Sequence, residues 1–173
     1  MNQSDAPLPE SWLRGTLTEV PAVSRGVLHA LESAREDAKK WRGGLSDSRL
    51  HARPEGLPSV AFHLRHIAGS IDRLLTYAED HALSEKQLQS LRMEPRPDGS
   101  THEVLAELEA AIVQGSARVR ALASQDYGVP RTVGKKQLPT TLGGLLVHIA
   151  DHTQRHVGQA ITTAKLVSAS KAF

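Results

Sequence analysis

The segment LLVHIADHTQRHVGQA, residues 145–160, decides how the chain is read. Leu145, Leu146, Ile149 and Ala160, with Ile161 and Ala164 beyond, recur at helical spacing, so the segment is the body of an amphipathic helix. His148, His152 and His156 stand four residues apart and share one face of it. Two imidazoles one turn apart can hold one metal ion without bending the helix. They lie on the side of Leu145 and Ile149 and are expected to point inward, where an imidazole without a partner is costly.

Working outward, this helix is expected to begin after Pro139, capped by Thr140 or Thr141, and to run to about Val167. Residues 168–173 read as a frayed tail. Before it, Asp126–Leu138 contains Gly128, Pro130 and Gly134 and reads as a loop or small hairpin, with Lys135-Lys136 as a solvated pair. A helix is expected from Ser100 or Thr101 through Leu122, because Ser100 and Glu103 have capping-box spacing. Another opens at Pro58-Ser59 and ends near Asp80, with Val60, Leu64, Ile67, Ile71, Leu74, Leu75 and Ala78 as its stripe. The earliest begins at Pro21 and carries Val23, Val27, Leu28, Leu31, Ala34, Ala38 and Trp41. Gly43-Gly44 stops it. Residues 84–92 suggest a short extra helix, and Ser46 a single turn. Residues 1–19 read as an irregular arm. The sum is one all-α domain over residues 1–173, an antiparallel four-helix bundle with a crossover connection.

Composition narrows the function. The chain has 173 residues, no cysteine, a net charge of +2 and 3% aromatics. Without cysteine there are no disulfides, thiolate metal sites or cysteine nucleophile. Scattered charge and few stacking rings argue against nucleic-acid binding. Neither a secretory signal nor an apolar run of membrane-spanning length is legible, so the expected location is cytoplasmic. Neither Gly43-Gly44 nor Gly143-Gly144 has the longer pattern of a phosphate loop. Glu103, Glu107 and Glu109 lack the Glu-x-x-His partners of a di-iron bundle and read as an exposed face.

Five of the nine histidines fall within residues 63–66 and 148–156. The helix from Ser59 therefore offers His63 and His66 as a third ligand. His63 lies at the edge of the apolar stripe and His66 further round, so spacing alone favours His63. Histidines on apolar faces are commonly hydrogen-bonded core residues, and spacing leaves that reading open too.

The segment SVAFHLRHIAGSIDRLL, residues 59–75, resembles the second helix of the DinB-like, or YfiT-like, superfamily of metal-dependent enzymes. The histidine before a small apolar pair is that family's first ligand, here His66 before Ile67-Ala68. LLVHIADHTQRHVGQA looks like the family's H-x-x-x-H-x-G-Q motif, here His152, His156, Gly158 and Gln159. PLPESWLRGTL, residues 7–17, also resembles one branch. The resemblance covers nearly the whole chain. It implies a divalent ion, nickel or zinc, held between two helices by His66, His152 and His156, and so moves the first ligand from His63 to His66. It also implies a homodimer, for which Phe62 and Tyr77, off the main stripes, are candidate surface residues. Val157 departs from the basic residue that many members carry after the last histidine, which weakens any anion contact there.

His63, His148 and Gln159 are then candidates for supporting a ligand, carrying a proton or touching substrate. Asp151 points about 100° away from His152 and reads as a solvated charge. The expected activity is a metal-dependent one on a small molecule. It is either hydrolysis or a transfer using a low-molecular-weight thiol, since the chain supplies none. The alternatives are a non-catalytic metal-binding or stress-related bundle and a bundle without metal. Pocket shape is expected to come from residues 45–57 and 126–138.

Overall fold

Five of the six α-helix starts are set by a small polar side chain that the sequence places there. In the computed structural model, which describes residues 9–15, 17–41 and 45–170, Ser46, Ser59, Ser84, Ser100 and Thr141 each accept a hydrogen bond from a backbone N–H of the first turn that follows. The helices are α1 (Ala22–Trp41), α2 (Asp47–His51), α3 (Val60–Ala78), α4 (Glu85–Met93), α5 (Thr101–Leu122) and α6 (Leu142–Ala169). Ser84 with Gln87 and Ser100 with Glu103 form full capping boxes. α3 stops in a Schellman turn: Asp80 takes a left-handed conformation at φ 65°, and the His81 N–H donates to the Thr76 carbonyl. The expected stop at Gly43-Gly44 and the last three residues of the expected frayed tail lie outside the described residues. Val167, Ser168 and Ala169 are helical.

α1 packs on α5 and α6, and α3 packs on the same two helices. The interior is apolar, with Leu31, Ile67, Ile71, Leu75, Leu108, Leu142, Leu146 and Ile149 among its fully buried members. Each such side chain contributes roughly 1.5–3 kcal/mol relative to exposure. The all-α expectation holds, but the helix directions are mixed. α3 and α6 run antiparallel, since His63 meets His156 while His66 meets His152. α3 and α5 run parallel: Arg65 pairs with Glu107 near one end, and Glu79 with Arg118 near the other. The connection from α3 to α5 must therefore return along α3, and α4 lies in it.

Residues 126–141 form the small hairpin, β1 (Pro130–Val133) against β2 (Leu138–Thr141). Arg131 Nε donates to the Ala78 carbonyl at 2.7 Å, fixing the hairpin to the end of α3. Of the expected N-terminal arm, residues 1–8 and 16 lie outside the described residues, and the rest is irregular but docked. Ser11 is buried in a 3-10 turn (Ser11–Leu13), where its Oγ donates to the His29 carbonyl at 2.9 Å. Arg14 grips both carboxylate oxygens of Glu36 at 2.7 and 2.8 Å. No helix among the described residues is long and apolar enough to cross a membrane.

Candidate metal centre

α6 buries Ile149, Thr153, Val157 and Ala160 on one side. That rotation leaves His152 and His156, one turn apart, at the margin between core and solvent. α3 does the same with His66: Ile67 is fully buried beside it, while His66 itself stays partly exposed. The two margins meet. Ligand-capable nitrogens of His66, His152 and His156 lie within 4.8 Å of one another. His66 Nε2 and His152 Nε2 are 3.0 Å apart. Two nitrogens bound at ~2.0–2.1 Å to one ion are separated by about 3 Å, so this spacing suits a shared ion. Among the described residues no further His, Asp or Glu joins the group. All three histidines are partly exposed.

Two of these rings each have a second partner. His63, 4% exposed, sets its Nδ1 3.1 Å from His156 Nδ1. His66 Nδ1 donates to Glu94 Oε2 at 2.7 Å, and Arg73 Nη1 donates to Glu94 Oε1 at 2.7 Å. The Phe62 ring stacks on His66 with centroids 5.4 Å apart.

The electrostatics disfavour the charged form of His63, His152 and His156. Burial, reinforced by His156 and His66, pushes the His63 imidazole down to about 4. Burial does the same to His152, also to about 4, with smaller contributions from His156, His66, His148 and Arg155. His156 is lowered as well, by burial first and then by His66 and Arg155. Neutral imidazoles present lone pairs, so a cation entering at neutral pH meets donors that already lack the competing proton.

Several expectations change here. The wheel placed His63 nearer the core, and the structure agrees, but that burial takes it out of the ligand group. His148 is exposed rather than inward-facing, with its ring centroid 5.3 Å from that of His152. Gln159 is exposed. Asp151 is exposed and pairs with Arg155, one turn on. Val157 is a core residue, not a surface contact. Phe62 and Tyr77 are partly buried within the chain, Phe62 against His66 and Tyr77 against the core. The segment 45–57 leads into α3 close to His63. The 126–138 hairpin, by contrast, lies by the start of α6, about 15 Å along the axis from His152. The residue that sequence reasoning missed is Glu94. Its one legible signal was Arg73, seven residues after His66 and so on a similar face of α3, a cation that needs a carboxylate when buried.

Helices joined by a three-imidazole cluster define a class of all-α protein with a candidate metal centre between its second and fourth long helices. The profile of the DinB superfamily matches residues 30–160, which include all three histidines. The chain belongs to the DinB superfamily. Comparison with curated proteins gave no match, and neither did comparison with solved structures.

Proposed function

We propose that the chain holds one divalent ion, nickel or zinc, on His66, His152 and His156, and that it is a metal-dependent enzyme acting on a small molecule. The observation that carries this is the convergence of three partly exposed imidazoles from two helices, with no further His, Asp or Glu in the group among the described residues. When bound, a divalent ion supplies Lewis acidity, lowering the pKa of a water or a low-molecular-weight thiol that reaches it. Donor chemistry fits nickel and zinc, which imidazole suits, better than magnesium or calcium, which prefer oxygen.

The chain's own residues do the rest. His63 Nδ1 lies 3.1 Å from His156 Nδ1, and a His63 that accepts there holds the His156 proton on Nδ1 and leaves Nε2 for the ion. Phe62 stacks on one face of His66. His148, exposed one turn before His152, is placed to move a proton between solvent and the group being activated.

Elemental analysis and titration with Ni²⁺ and Zn²⁺ test the first half. The wild type should take up one ion per chain, and the His152→Ala/His156→Ala variant none. Equal, negligible uptake in both defeats the reading. Assaying the loaded protein with chromogenic esters, and with electrophiles plus a low-molecular-weight thiol, tests the second half. No turnover of either class leaves a non-catalytic metal-binding protein.

A further inference from the structure

We infer that Glu94 is a positioning residue for the ligand His66, held in place by Arg73 in a space that Gly69 leaves open; this rests on the metal-binding reading above. α4 buries none of its own residues. The residue that follows it, Glu94, is nevertheless 5% exposed, and Arg73 beneath it is 7% exposed. A buried carboxylate and guanidinium are costly unless each is paired. Here the carboxylate is fully engaged, one oxygen on Arg73 and the other on His66.

The room for this arrangement comes from the backbone of α3. A Cβ added at Gly69 would lie 2.5 Å from both Arg73 Nη1 and Glu94 Oε1. Any side chain there would displace the pair. Gly69 follows His66 by three residues and Arg73 by seven, so ligand, gap and cation share one face of a single helix.

The consequence is chemical. A carboxylate that already accepts from Arg73 can only accept from His66, so the His66 proton sits on Nδ1. Nε2 then carries the lone pair, and Nε2 is the atom that faces His152. Glu94 thereby fixes both the tautomer and the ring orientation that ligation requires. The segment is anchored independently by Arg65, which donates to the Arg96 carbonyl at 3.1 Å and to Asp98 at 2.6 Å.

Glu94→Gln separates this role from a merely structural one. The substituted amide keeps the shape, but Arg73 claims its single carbonyl oxygen. The amide NH₂ then faces His66 Nδ1 and forces the proton onto Nε2. The expected result is a ~10–100-fold loss of Zn²⁺ or Ni²⁺ affinity in competition with a chromophoric chelator. Asp98→Asn on the same segment should stay within about twofold of wild type. In the metal-free wild type, ¹⁵N–¹H long-range correlation spectra should show His66 protonated at Nδ1, and in Glu94→Gln at Nε2. An Nε2–H tautomer in the wild type overturns the inference, as does unchanged affinity in a folded Glu94→Gln. The tautomer is read without metal and without a variant, so it decides the Glu94–His66 relation even if Glu94→Gln fails to fold. Absence of metal binding by the wild type would instead refute the reading of the preceding section.

Discussion

His63 Nδ1 lies 3.1 Å from His156 Nδ1, and the two rings come from antiparallel helices. One nitrogen must donate and the other accept. With His63 as the acceptor, the His156 proton sits on Nδ1 and Nε2 remains available. His63→Ala should therefore weaken Zn²⁺ or Ni²⁺ binding by ~10–100-fold, as loss of a ligand's hydrogen-bond partner typically does. Isothermal titration beside the wild type measures it. Affinity within about twofold would remove His63 from the site.

Because an ion on His66, His152 and His156 joins α3 to α6, it should raise the melting temperature. An ion present at 100 times its dissociation constant adds about 2.7 kcal/mol to stability. Thermal melts with Zn²⁺ should therefore shift upward, return to the starting value on adding a chelator, and not move in His152→Ala/His156→Ala.

Two glycines should respond to alanine in opposite directions. A Cβ at Gly115 would lie 2.5 Å from Ile71 Cγ2, at the contact of α5 with α3. Overpacking costs ~1–3 kcal/mol and outweighs the ~1 kcal/mol that alanine gains in helix propensity. At Gly26 in α1, nothing lies within 4 Å of the added atom. Gly26→Ala should thus gain up to ~1 kcal/mol. Urea denaturation of both variants checks the pair of signs.

The Arg14–Glu36 contact should make the docking of the N-terminal arm acid-sensitive. The Arg14 guanidinium, hydrogen-bonded to Glu36, holds that carboxyl below the usual 4.5. The unfolded chain therefore takes up this proton first as pH falls. The contact's contribution is fully present above the unfolded value and is lost as pH drops through the folded one. Both side chains are partly solvated, so the contribution is small. The stability difference between wild type and Glu36→Gln should be constant from about pH 6 upward and shrink once pH falls below the usual carboxylate range. A difference that persists at that acidity would mean the carboxylate charge is not its source.

The helices were legible because their signals are local. Serines and a threonine at the starts, and apolar residues at helical spacing, need no knowledge of neighbours. His152 and His156 were legible for the same reason, being one turn apart. The choice between His63 and His66 was not, because a wheel ranks burial while ligation needs a nitrogen at the margin where two helices meet solvent. The wheel was right that His63 is more buried and silent on what that burial does. The resemblance supplied His66, and the structure groups that ring, rather than His63, with His152 and His156. Glu94 was illegible for a different reason: it is 28 residues from His66 and reaches it only because α3 and α5 are parallel. Helix direction is a tertiary property that no local pattern states.

That parallel pairing makes the two long connections unequal in what they tolerate. Residues 79–93 act as a spacer whose length sets the level at which residue 94 arrives beside α3. An insertion or deletion of a few residues there should shift Glu94 off His66 and be felt at the imidazoles. The same change at the tip of the hairpin, residues 134–137, alters a loop about 15 Å away and leaves them untouched. The candidate metal centre is thus gauged by a stretch of chain that contributes none of its three histidines.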